Sequence, residues 1–487
     1  MDQSSPSQPS SVDGNPLLKT EIRGFDVILG GGFPANHLYL IQGLAGSGKT
    51  TLACQIGFNH ARQGRKVLVL TLIAESHAKL LQHLANFSFF DESLVGREVL
   101  FFGGYTSLAQ GGLRELLAFI SSCLSQHRPE ILIIDGFRSV RDSCPSDLDL
   151  SEFMHSLNAL VSTMACTTFL LSPVEGNIAE SENTLVDGLV ELSQYENGVR
   201  SVRELRVFKV RGSNHLLGKH SFEVGSDGLV VYPRLEAVAT RTNTASPASE
   251  DRVSFGIPSL DRITNGGVMQ GSITSLVGTP GVGKTTMGLH FIRQGLLENE
   301  QCLILGFFES PPRLVQKGKR VDIDLSGAME DGSLEMIWYL PLEMLMDGLA
   351  TELLENIDRR KVTRLLIDGI EGFHDVAVHP ERIRPFLIAL VNELRARNVT
   401  TFFTQELPYF KESYTRSDST ESVLYENIIL MRTVEIDATD HRVISVMKLR
   451  ESGFNPARHI MTISDHGISI DRPSSSLKSG SVRPEGA

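Results

Sequence analysis

This sequence has few of the features that mark secreted or membrane proteins. Its five cysteines are scattered without a CxxC pair, which argues against a disulfide framework and against a cysteine-based zinc or redox site. No window approaches the ~20 apolar residues of a membrane-spanning helix. The first 16 residues have neither a basic start nor an apolar stretch, so they do not resemble a secretory signal. These absences predict a cytoplasmic protein with reduced thiols and no membrane partner.

The sequence also has fewer basic than acidic residues. The chain has 46 Lys and Arg against 58 Asp and Glu, a formal net charge of −12. Sequence-independent binding of DNA needs a basic face that releases counterions, so nucleic acid is not an expected partner. A content of 41% hydrophobic and 21% charged residues is typical of globular proteins. Because single hydrophobic cores stop growing near roughly 250 to 300 residues, this chain of 487 residues is expected to form two domains.

The two expected domains are copies of one unit. The segment GLAGSGKTT at 43–51 returns as GTPGVGKTT at 278–286, and VLVLTLIAES returns as CLILGFFES. Each copy is far longer than the repeats of a solenoid. The landmarks keep nearly the same separation along the chain: 235 residues for Lys49 and Lys284, 233 for Asp135 and Asp368, and 239 for Lys209 and Lys448.

Composition sets the domain boundaries. The polar segment 239–252 is rich in Ser, Thr and Ala and is predicted to be the linker between a first domain at 18–238 and a second at 253–472. Residues 1–17 and 473–487 are rich in Ser, Pro and Gly. They are predicted to be disordered tails, because they carry too little apolar surface to offset the entropy of ordering.

Hydrophobic periodicity indicates the fold class. Short apolar runs such as HLYLIQG, KVLVLTLI, EILIID and TTFLLS alternate with longer helical stretches such as TTLACQIGFNHARQG. Continuous apolar runs of this length are typical of strands buried on both faces. The predicted fold class is therefore α/β, with two tandem domains that each contain a mainly parallel twisted sheet flanked by helices.

Two segments fit the phosphate-loop pattern GxxxxGK[ST], each after an apolar strand and at the start of a helical stretch. Glycines let backbone N–H groups surround a phosphate, and the N-terminus of the helix adds partial positive charge. Lys49 and Lys284 are predicted to reach the β- and γ-phosphates of ATP and to act in catalysis. The predicted nucleotide-binding residues are Gly43, Gly46, Ser47, Gly48, Lys49, Thr50 and Thr51, and in the second repeat Gly278, Gly281, Val282, Gly283, Lys284, Thr285 and Thr286.

A Mg²⁺ site is predicted beside each loop. Thr50 and Thr285 offer hydroxyl oxygens to the ion, and Asp135 and Asp368 each end a buried strand, where a carboxylate can hold the ion through water. The alternative is that each aspartate only starts a tight Asp-Gly turn, since glycine follows both.

These motifs together resemble the KaiC family, whose members are tandem RecA-like ATPases. The resemblance covers about residues 18 to 472 and depends on both phosphate loops, both strand-end aspartates and the opening GFDVILGGGFP. It implies two RecA-like P-loop domains, ATP held between neighbouring subunits, and a homo-oligomer in the form of a hexameric double ring. It also implies a signalling or regulatory role with a protein partner that the sequence does not identify.

A Lys-x-Arg pair occurs late in each repeat. Lys209 with Arg211, and Lys448 with Arg450, lie two apart on predicted strands, so both members of a pair face one side. In the KaiC family such a pair reaches the nucleotide of the adjacent subunit, where a cation can stabilise charge on the transferring phosphoryl group. The alternative is a solvated basic stripe on an edge strand.

One carboxylate of the family pattern is missing from both repeats. RecA-type ATPases use a strand-end Glu to orient the attacking water, and the KaiC family has two adjacent glutamates there. This chain has Ala74 before Glu75 and Phe308 before Glu309. Adjacent strand residues point to opposite faces, so Glu75 and Glu309, the candidate catalytic carboxylates, do not simply replace their neighbours. Slow hydrolysis is expected; the alternative roles for both glutamates are helix capping or surface charge.

The leading hypothesis is a ring-forming ATPase in signalling or regulation, with ATP and Mg²⁺ as cofactors. The resemblance adds Ser/Thr autokinase activity, but Ser422 is followed by Val423, so a second acceptor hydroxyl is missing. The alternative is a nucleotide-gated scaffold that assembles and scarcely hydrolyses ATP. A DNA recombinase or helicase shares the fold, but fold analogy alone does not support it.

Overall fold

The computed structural model describes residues 16–73, 77–174, 181–242, 250–407, 424–436, 438–450 and 453–471. Contacts divide the chain into two compact units, with the division between Val238 and Ala239. Apart from Pro16 and Leu17, the two predicted tails lie outside the described residues.

The first unit alternates strands and helices. Its strands are β1 (Leu17–Leu18), β2 (Phe33–Pro34), β3 (Leu38–Gly43), β4 (Val67–Thr71), β5 (Val99–Gly103), β6 (Ile131–Asp135), β7 (Thr167–Ser172), β8 (Gly188–Asn197), β9 (Arg200–Val210), β10 (Lys219–Gly225) and β11 (Gly228–Tyr232). Its helices are α1 (Phe25–Leu29), α2 (Lys49–Ala61), α3 (His77–Leu84), α4 (Tyr105–His127), α5 (Arg138–Asp142), α6 (Asp147–Thr163) and α7 (Ser181–Leu185), with a 3₁₀ turn at Glu92–Leu94. Helix α8 (Leu235–Thr242) contains the division between the units.

The second unit repeats this order. Its strands are β12 (Arg252–Val253), β13 (Val268–Met269), β14 (Ile273–Gly278), β15 (Cys302–Gly306), β16 (Leu334–Trp338), β17 (Arg364–Asp368), β18 (Thr400–Glu406), β19 (Asn427–Ile436), β20 (Thr439–Leu449), β21 (His459–Ser464) and β22 (Gly467–Ile470). Its helices are α9 (Pro258–Ile263), α10 (Lys284–Leu297), α11 (Pro311–Lys319), α12 (Ser326–Glu330), α13 (Met346–Arg360), α14 (Glu371–Val376) and α15 (Ile383–Ala396), with a 3₁₀ turn at Pro380–Arg382.

Each unit is organised around one nine-stranded sheet. The strand order is β5-β4-β6-β7-β3-β8-β9-β10-β11 in the first unit and β16-β15-β17-β18-β14-β19-β20-β21-β22 in the second. In both sheets the first six strands in this order run parallel, and the last three are added as antiparallel neighbours. The predicted α/β class with mainly parallel sheets is therefore confirmed, and the two sheets have the same topology.

Both faces of the parallel strands are covered. Alternate residues of β3 join two different cores: Tyr39 and Ile41 pack with Ile56 of α2, whereas Leu38 and Leu40 lie with residues of α4 and α6. Alternation places successive side chains on opposite faces of a sheet. An uninterrupted apolar run such as LYLIQG is therefore required at this central position.

The topology determines where a ligand can bind. In an open α/β sheet, ligands bind beyond the carboxyl ends of parallel strands, where the chain passes into helices. Strands β3 and β14 lie at the centre of their sheets, and helices α2 and α10 begin a few residues after them. Both predicted phosphate loops lie at this edge.

Candidate functional site

Each phosphate loop connects a central strand to the first turn of a helix. The N-cap residues Gly48 and Gly283 have φ of 99° and 113°, values that residues with a side chain rarely adopt. At the start of the first loop, a Cβ on Gly43 would lie 2.3 Å from the carbonyl oxygen of Leu192. The glycines of the pattern are therefore required by the backbone, and they leave the first N–H groups of the helix available to an anion.

The loop lysines fold back over their own loops. Lys49 Nζ donates hydrogen bonds to the carbonyl oxygens of Gly43 and Leu44, at 2.7 and 2.9 Å. Lys284 donates to the two matching carbonyl oxygens of its loop, at 2.8 and 3.1 Å. Burial lowers the pKa of both lysines, and nearby carboxylates act in the opposite direction. An anionic phosphate bound in either loop would supply further charge compensation to a partly desolvated ammonium group.

The loop threonines contact the strand-end aspartates in both repeats. Thr50 Oγ1 donates to Asp135 at 2.9 Å, and Thr285 Oγ1 donates to Asp368 at 3.2 Å. The two residues of a pair are more than 80 positions apart in sequence, so the fold brings them together. A hydroxyl and a carboxylate beside a phosphate loop fit Mg²⁺, which takes few protein oxygens and retains several waters. Among the described residues, no group of three or more His, Cys, Asp or Glu forms a separate metal cluster.

The second loop opens into a cleft of about 480 Å³. Its walls come from the loop, from the strand-end residues of β17 and β18, and from the segment after β15. The lining residues are Gly281, Gly283, Lys284, Thr285, Thr286, Phe308, Glu309, Lys317, Asp368, Gly369, Glu371, Thr404, Glu406 and Ile463.

Three polar residues of this cleft are not repeated in the first unit. Thr404 Oγ1 donates to Asp368 at 2.8 Å and accepts the Gly369 N–H at 2.7 Å. Lys284 Nζ lies 3.8 Å from a carboxylate oxygen of Glu406. Strand register and spacing from the strand-end aspartates match Thr404, Glu371 and Glu406 to Leu171, Arg138 and Pro173 of the first repeat.

Burial shifts the pKa of two carboxyl groups of the second site upwards. Desolvation raises the pKa of Asp368, although hydrogen bonds from Thr404 and Thr285 oppose it. Desolvation also raises the pKa of Glu371, against hydrogen bonds from backbone N–H groups. Both carboxylates are therefore held in a weakly hydrated environment, where a nearby cation is attracted strongly.

Phe308 and Glu309, at the position where the family carboxylate is missing, have side chains that contact different parts of the site. The Phe308 side chain is 55% exposed, and its ring edge would lie 2.8 Å from a Cβ on Gly369. Glu309 forms an ion pair with Lys317 of α11, and both line the cleft. In the first repeat, Ala74 and Glu75 lie outside the described residues, so the role assigned to Glu75 stays a prediction.

The second Lys-x-Arg pair lies away from the phosphate loop of its own repeat. Lys448 pairs in register with Ile428, which pairs with Ser275, three residues before the end of β14. With a rise of about 3.3 Å per residue and about 4.8 Å between strands, this is roughly 10 Å along the sheet and 10 Å across it. Lys448 Nζ donates to the carbonyl oxygen of Tyr425, at 2.6 Å, just before β19 begins. The amine thus points towards the amino ends of the parallel strands.

The first pair repeats this geometry. Lys209 donates to the carbonyl oxygen of Thr184 at 3.3 Å, and Arg211 lies 3.3 Å from Asp187, just before β8 begins. Asp187 also accepts the N–H of Leu38 at 3.2 Å. In the second repeat Glu426 takes both roles: it accepts the Ile273 N–H at 3.0 Å and lies 4.0 Å from Arg450. A contact of these cations with nucleotide stays a prediction, and it requires a neighbouring copy of the chain.

Recurrence between repeats does not predict Thr404, Glu371 or Glu406, because none of the three recurs. A signal is nevertheless present in the sequence. Three residues after the strand-end aspartate, the first repeat has Arg138 and the second has Glu371, a reversal of charge at equivalent positions. Ser422, the candidate phosphorylation site, lies outside the described residues.

Comparison with known proteins gives a consistent result over both repeats. The family model described as "ATPase: KaiC" matches residues 18–236 and again 253–475. The circadian clock oscillator protein KaiC of Parathermosynechococcus lividus is 26% identical over 477 residues, covering 95% of this chain and 86% of that protein. The protein of that name from Picosynechococcus sp. is 26% identical over 483 residues, covering 96% and 92%. KaiC 1 of Synechocystis sp. is 25% identical over 468 residues, covering 94% and 88%.

No helix within the described ranges is both long and apolar enough to cross a lipid bilayer.

Proposed function

The chain belongs to the KaiC family of ATPases, and from this premise we propose that it binds ATP with Mg²⁺ at both phosphate loops, hydrolyses it, and assembles into a ring. One observation carries the proposal. In both repeats a lysine, half-buried at Lys49 and buried at Lys284, and a threonine–aspartate contact meet at the same sheet edge, within reach of the first N–H groups of a helix. Neither feature alone requires a nucleotide, but their combination matches a triphosphate with its metal ion.

Different residues of each site would bind the phosphates and the metal ion. Backbone N–H groups of the loop and the lysine would hold the β- and γ-phosphates, while the threonine hydroxyl and the strand-end aspartate would hold Mg²⁺. The bound ion would neutralise charge on the phosphate oxygens. Because phosphoryl transfer depends mainly on positioning and electrostatics, the fixed loop geometry accounts for a large part of the catalysis.

The Lys-x-Arg pairs support assembly. Each pair lies about 10 Å from the end of the central strand, both along the sheet and across it, and its amine points away from its own loop. If these cations act on ATP, the nucleotide belongs to an adjoining copy of the chain. A closed ring of identical subunits places one such pair beside every nucleotide, and we adopt the six-membered ring of the KaiC family.

Phosphate release from ATP tests the enzymatic part of the proposal. Wild type is compared with Lys49→Ala, Lys284→Ala and the double variant. The double variant should release phosphate at least roughly 10²-fold more slowly, because it lacks the cation at both triphosphate sites. An unchanged rate in the double variant contradicts the proposal.

Particle mass tests the assembly. Light scattering with Mg²⁺ and ATP is expected to give the mass of six chains for wild type. The variant Lys448→Ala should retain the mass but hydrolyse more slowly. Arg442→Ala, an exposed cation on the same strand, is the matched control and should behave as wild type. A single-chain mass at all nucleotide concentrations would remove the support for a ring.

A nucleotide-gated scaffold is the second candidate, and Phe308 is the observation that favours it. Where the KaiC family has a carboxylate, this chain has an exposed aromatic ring over Gly369. A scaffold would bind ATP tightly and assemble without measurable turnover. Rapid phosphate release from wild type decides against it.

Autophosphorylation of Ser422 is the reaction that the family resemblance adds to this proposal. With Val423 next to it, a single acceptor hydroxyl is present at this place. Mass spectrometry after incubation with ATP should find one phosphate there, and Ser422→Ala should lose it.

The proposed role is signalling or regulation in the cytoplasm together with a protein partner. The cysteines are free, which supports a reducing compartment.

A further inference from the structure

The second site contains a carboxylate that the family pattern does not assign. Glu371 is the first residue of α14 and lines the cleft beside Lys284, Asp368 and Thr404. Its Oε1 accepts the backbone N–H of Glu406 at 2.6 Å, which fixes the carboxylate against the end of β18. Within the part of the chain that the structure describes, its Oε2 is buried and has no hydrogen-bond partner. A fixed carboxylate with one unsatisfied oxygen beside the cleft needs a hydrogen-bond donor, and a bound water can supply one.

This free oxygen lies close to the place from which the family carboxylate is missing. A Cβ on Gly369 would be 2.8 Å from the ring of Phe308 and 3.9 Å from Glu371 Oε2. The aromatic ring and the carboxylate therefore flank the same glycine, one from the β15 side and the other from α14. Glu309 does not take this place, because its carboxylate is paired with Lys317.

We propose that Glu371 orients the attacking water in the second nucleotide site, in place of the carboxylate that Phe308 removes. This inference rests on the proposed function, since it assumes that the second site hydrolyses ATP. The water oxygen forms a bond to the γ-phosphorus, and the bond from the γ-phosphorus to the β–γ bridging oxygen breaks, with its electron pair leaving on ADP. One water proton passes to the Glu371 carboxylate and from there to the released phosphate.

Among its described residues, the first site has no carboxylate at the position equivalent to Glu371. Arg138 occupies the equivalent position and pairs with Asp142 of its own helix at 3.1 Å. A guanidinium cannot accept a proton from water. The proposal therefore assigns hydrolysis by this route to the second site alone.

Single-site kinetics test the proposal. The background is Lys49→Ala in the full chain, so that turnover reports on the second site. Glu371→Gln should lower kcat roughly 10²-fold, the size expected for a positioned base. KM should change little, because the amide fills the same space and still accepts the Glu406 N–H. Glu371→Asp should retain part of the activity.

Binding is measured separately from turnover. Equilibrium titration of the Lys49→Ala background with a fluorescent ATP analogue gives the affinity of the second cleft for nucleotide. Glu371→Gln should keep this affinity. Phe308→Glu, placed in the Glu371→Gln background, should recover part of kcat by restoring a carboxylate beside Gly369.

Three outcomes overturn the proposal. A kcat for Glu371→Gln within twofold of its background means that another group orients the water. Loss of nucleotide affinity together with kcat means that Glu371 is structural. An equal rate in wild type and in the Lys49→Ala, Lys284→Ala double variant means that the proposed ATPase function itself has failed. Arg138→Gln, the matched control in the first repeat, should leave kcat unchanged.

Discussion

In the first repeat, Arg138 follows the strand-end aspartate by three residues and pairs with Asp142; in the second repeat, Glu371 stands there and faces the nucleotide cleft. Around this difference the two sites share their glycines, lysine, threonine and aspartate, with closely similar contacts. Under the proposed function, the shared residues are those that would hold the triphosphate and its metal ion. The residue three positions after the aspartate, which differs, would lie beside the attacking water, so the two sites would bind alike and differ in their catalytic surroundings.

Exchanging the two diverged residues should have the largest effect. Glu371→Arg places the residue of the first repeat in the second site, where it removes the water-orienting carboxylate and brings a cation near Lys284. Phosphate release by the second site should fall roughly 10²- to 10³-fold. The reciprocal Arg138→Glu should increase the release measured in a Lys284→Ala background. If both exchanges leave the rates of phosphate release unchanged, the two sites are functionally equivalent at this position. The proposed difference between the two repeats is then contradicted.

A second difference concerns the helix that follows each loop. In α10, His290 Nε2 accepts the N–H of Ile468 at 3.1 Å, whereas in α2 the amide oxygen of Gln55 accepts the N–H of Leu229 at 2.7 Å. The same backbone contact is made by a titratable ring in one repeat and by a neutral amide in the other. Burial, with a smaller effect of Arg293, lowers the pKa of His290 from 6.5 to about 4.

Acid should therefore destabilise the second unit more than the first. Between pH 6.5 and 4 the unfolded histidine binds a proton that the folded one excludes. The stability is thus fully present above pH 6.5 and is lost as pH falls, by up to about 3 kcal/mol. Urea unfolding of the full chain at pH 7 and pH 5 measures the effect. His290→Gln should remove this acid-dependent component, and an unchanged pH dependence in that variant would assign the loss to other groups.

Much of this architecture could be predicted from the sequence, and the reason is visible in β3. An apolar run such as LYLIQG fits a strand buried on both faces, and a GxxxxGK[ST] pattern after it fixes the loop and the start of the helix. Both features are local in sequence. Glu371 and Thr404 could not be assigned in this way, because their roles depend on strand order and on contacts made across more than 30 positions.

The placement of the Lys-x-Arg pairs could be predicted from the sequence only in part. Their spacing predicts that both cations share a face, but only the register shows that Lys448 lies two strands away from β14 and level with Ser275, three residues before the end of that strand. The remaining step, contact with the nucleotide of a neighbour, depends on assembly and cannot be obtained from one chain.

The two pairs should also differ in their effect on turnover. If hydrolysis takes place mainly at the second site, Lys448→Ala removes a cation from the active nucleotide and should lower total phosphate release about tenfold, within the range for a charge-stabilising donor. Lys209→Ala should have a smaller effect, because it faces the less active nucleotide. Steady-state phosphate release at saturating ATP measures both. A larger loss in Lys209→Ala would place hydrolysis in the first repeat.

The smallest expected effect lies at Thr404, where the first repeat has Leu171. The Thr404 hydroxyl donates to the buried Asp368 carboxylate and accepts the Gly369 N–H, so it offsets part of the cost of burying a charge between β17 and β18. Thr404→Leu, which copies the first repeat, should lower the free energy of unfolding of the second unit by about 1 kcal/mol and raise the pKa of Asp368 further. The carboxylate should then bind Mg²⁺ more weakly at mildly acidic pH.

Thr404→Ser keeps the hydroxyl and should behave as wild type in both urea unfolding and Mg²⁺ titration of phosphate release. If Thr404→Leu is as stable as Thr404→Ser, the aspartate does not need this partner, and the extra hydroxyl of the second site has no role in holding the metal ligand.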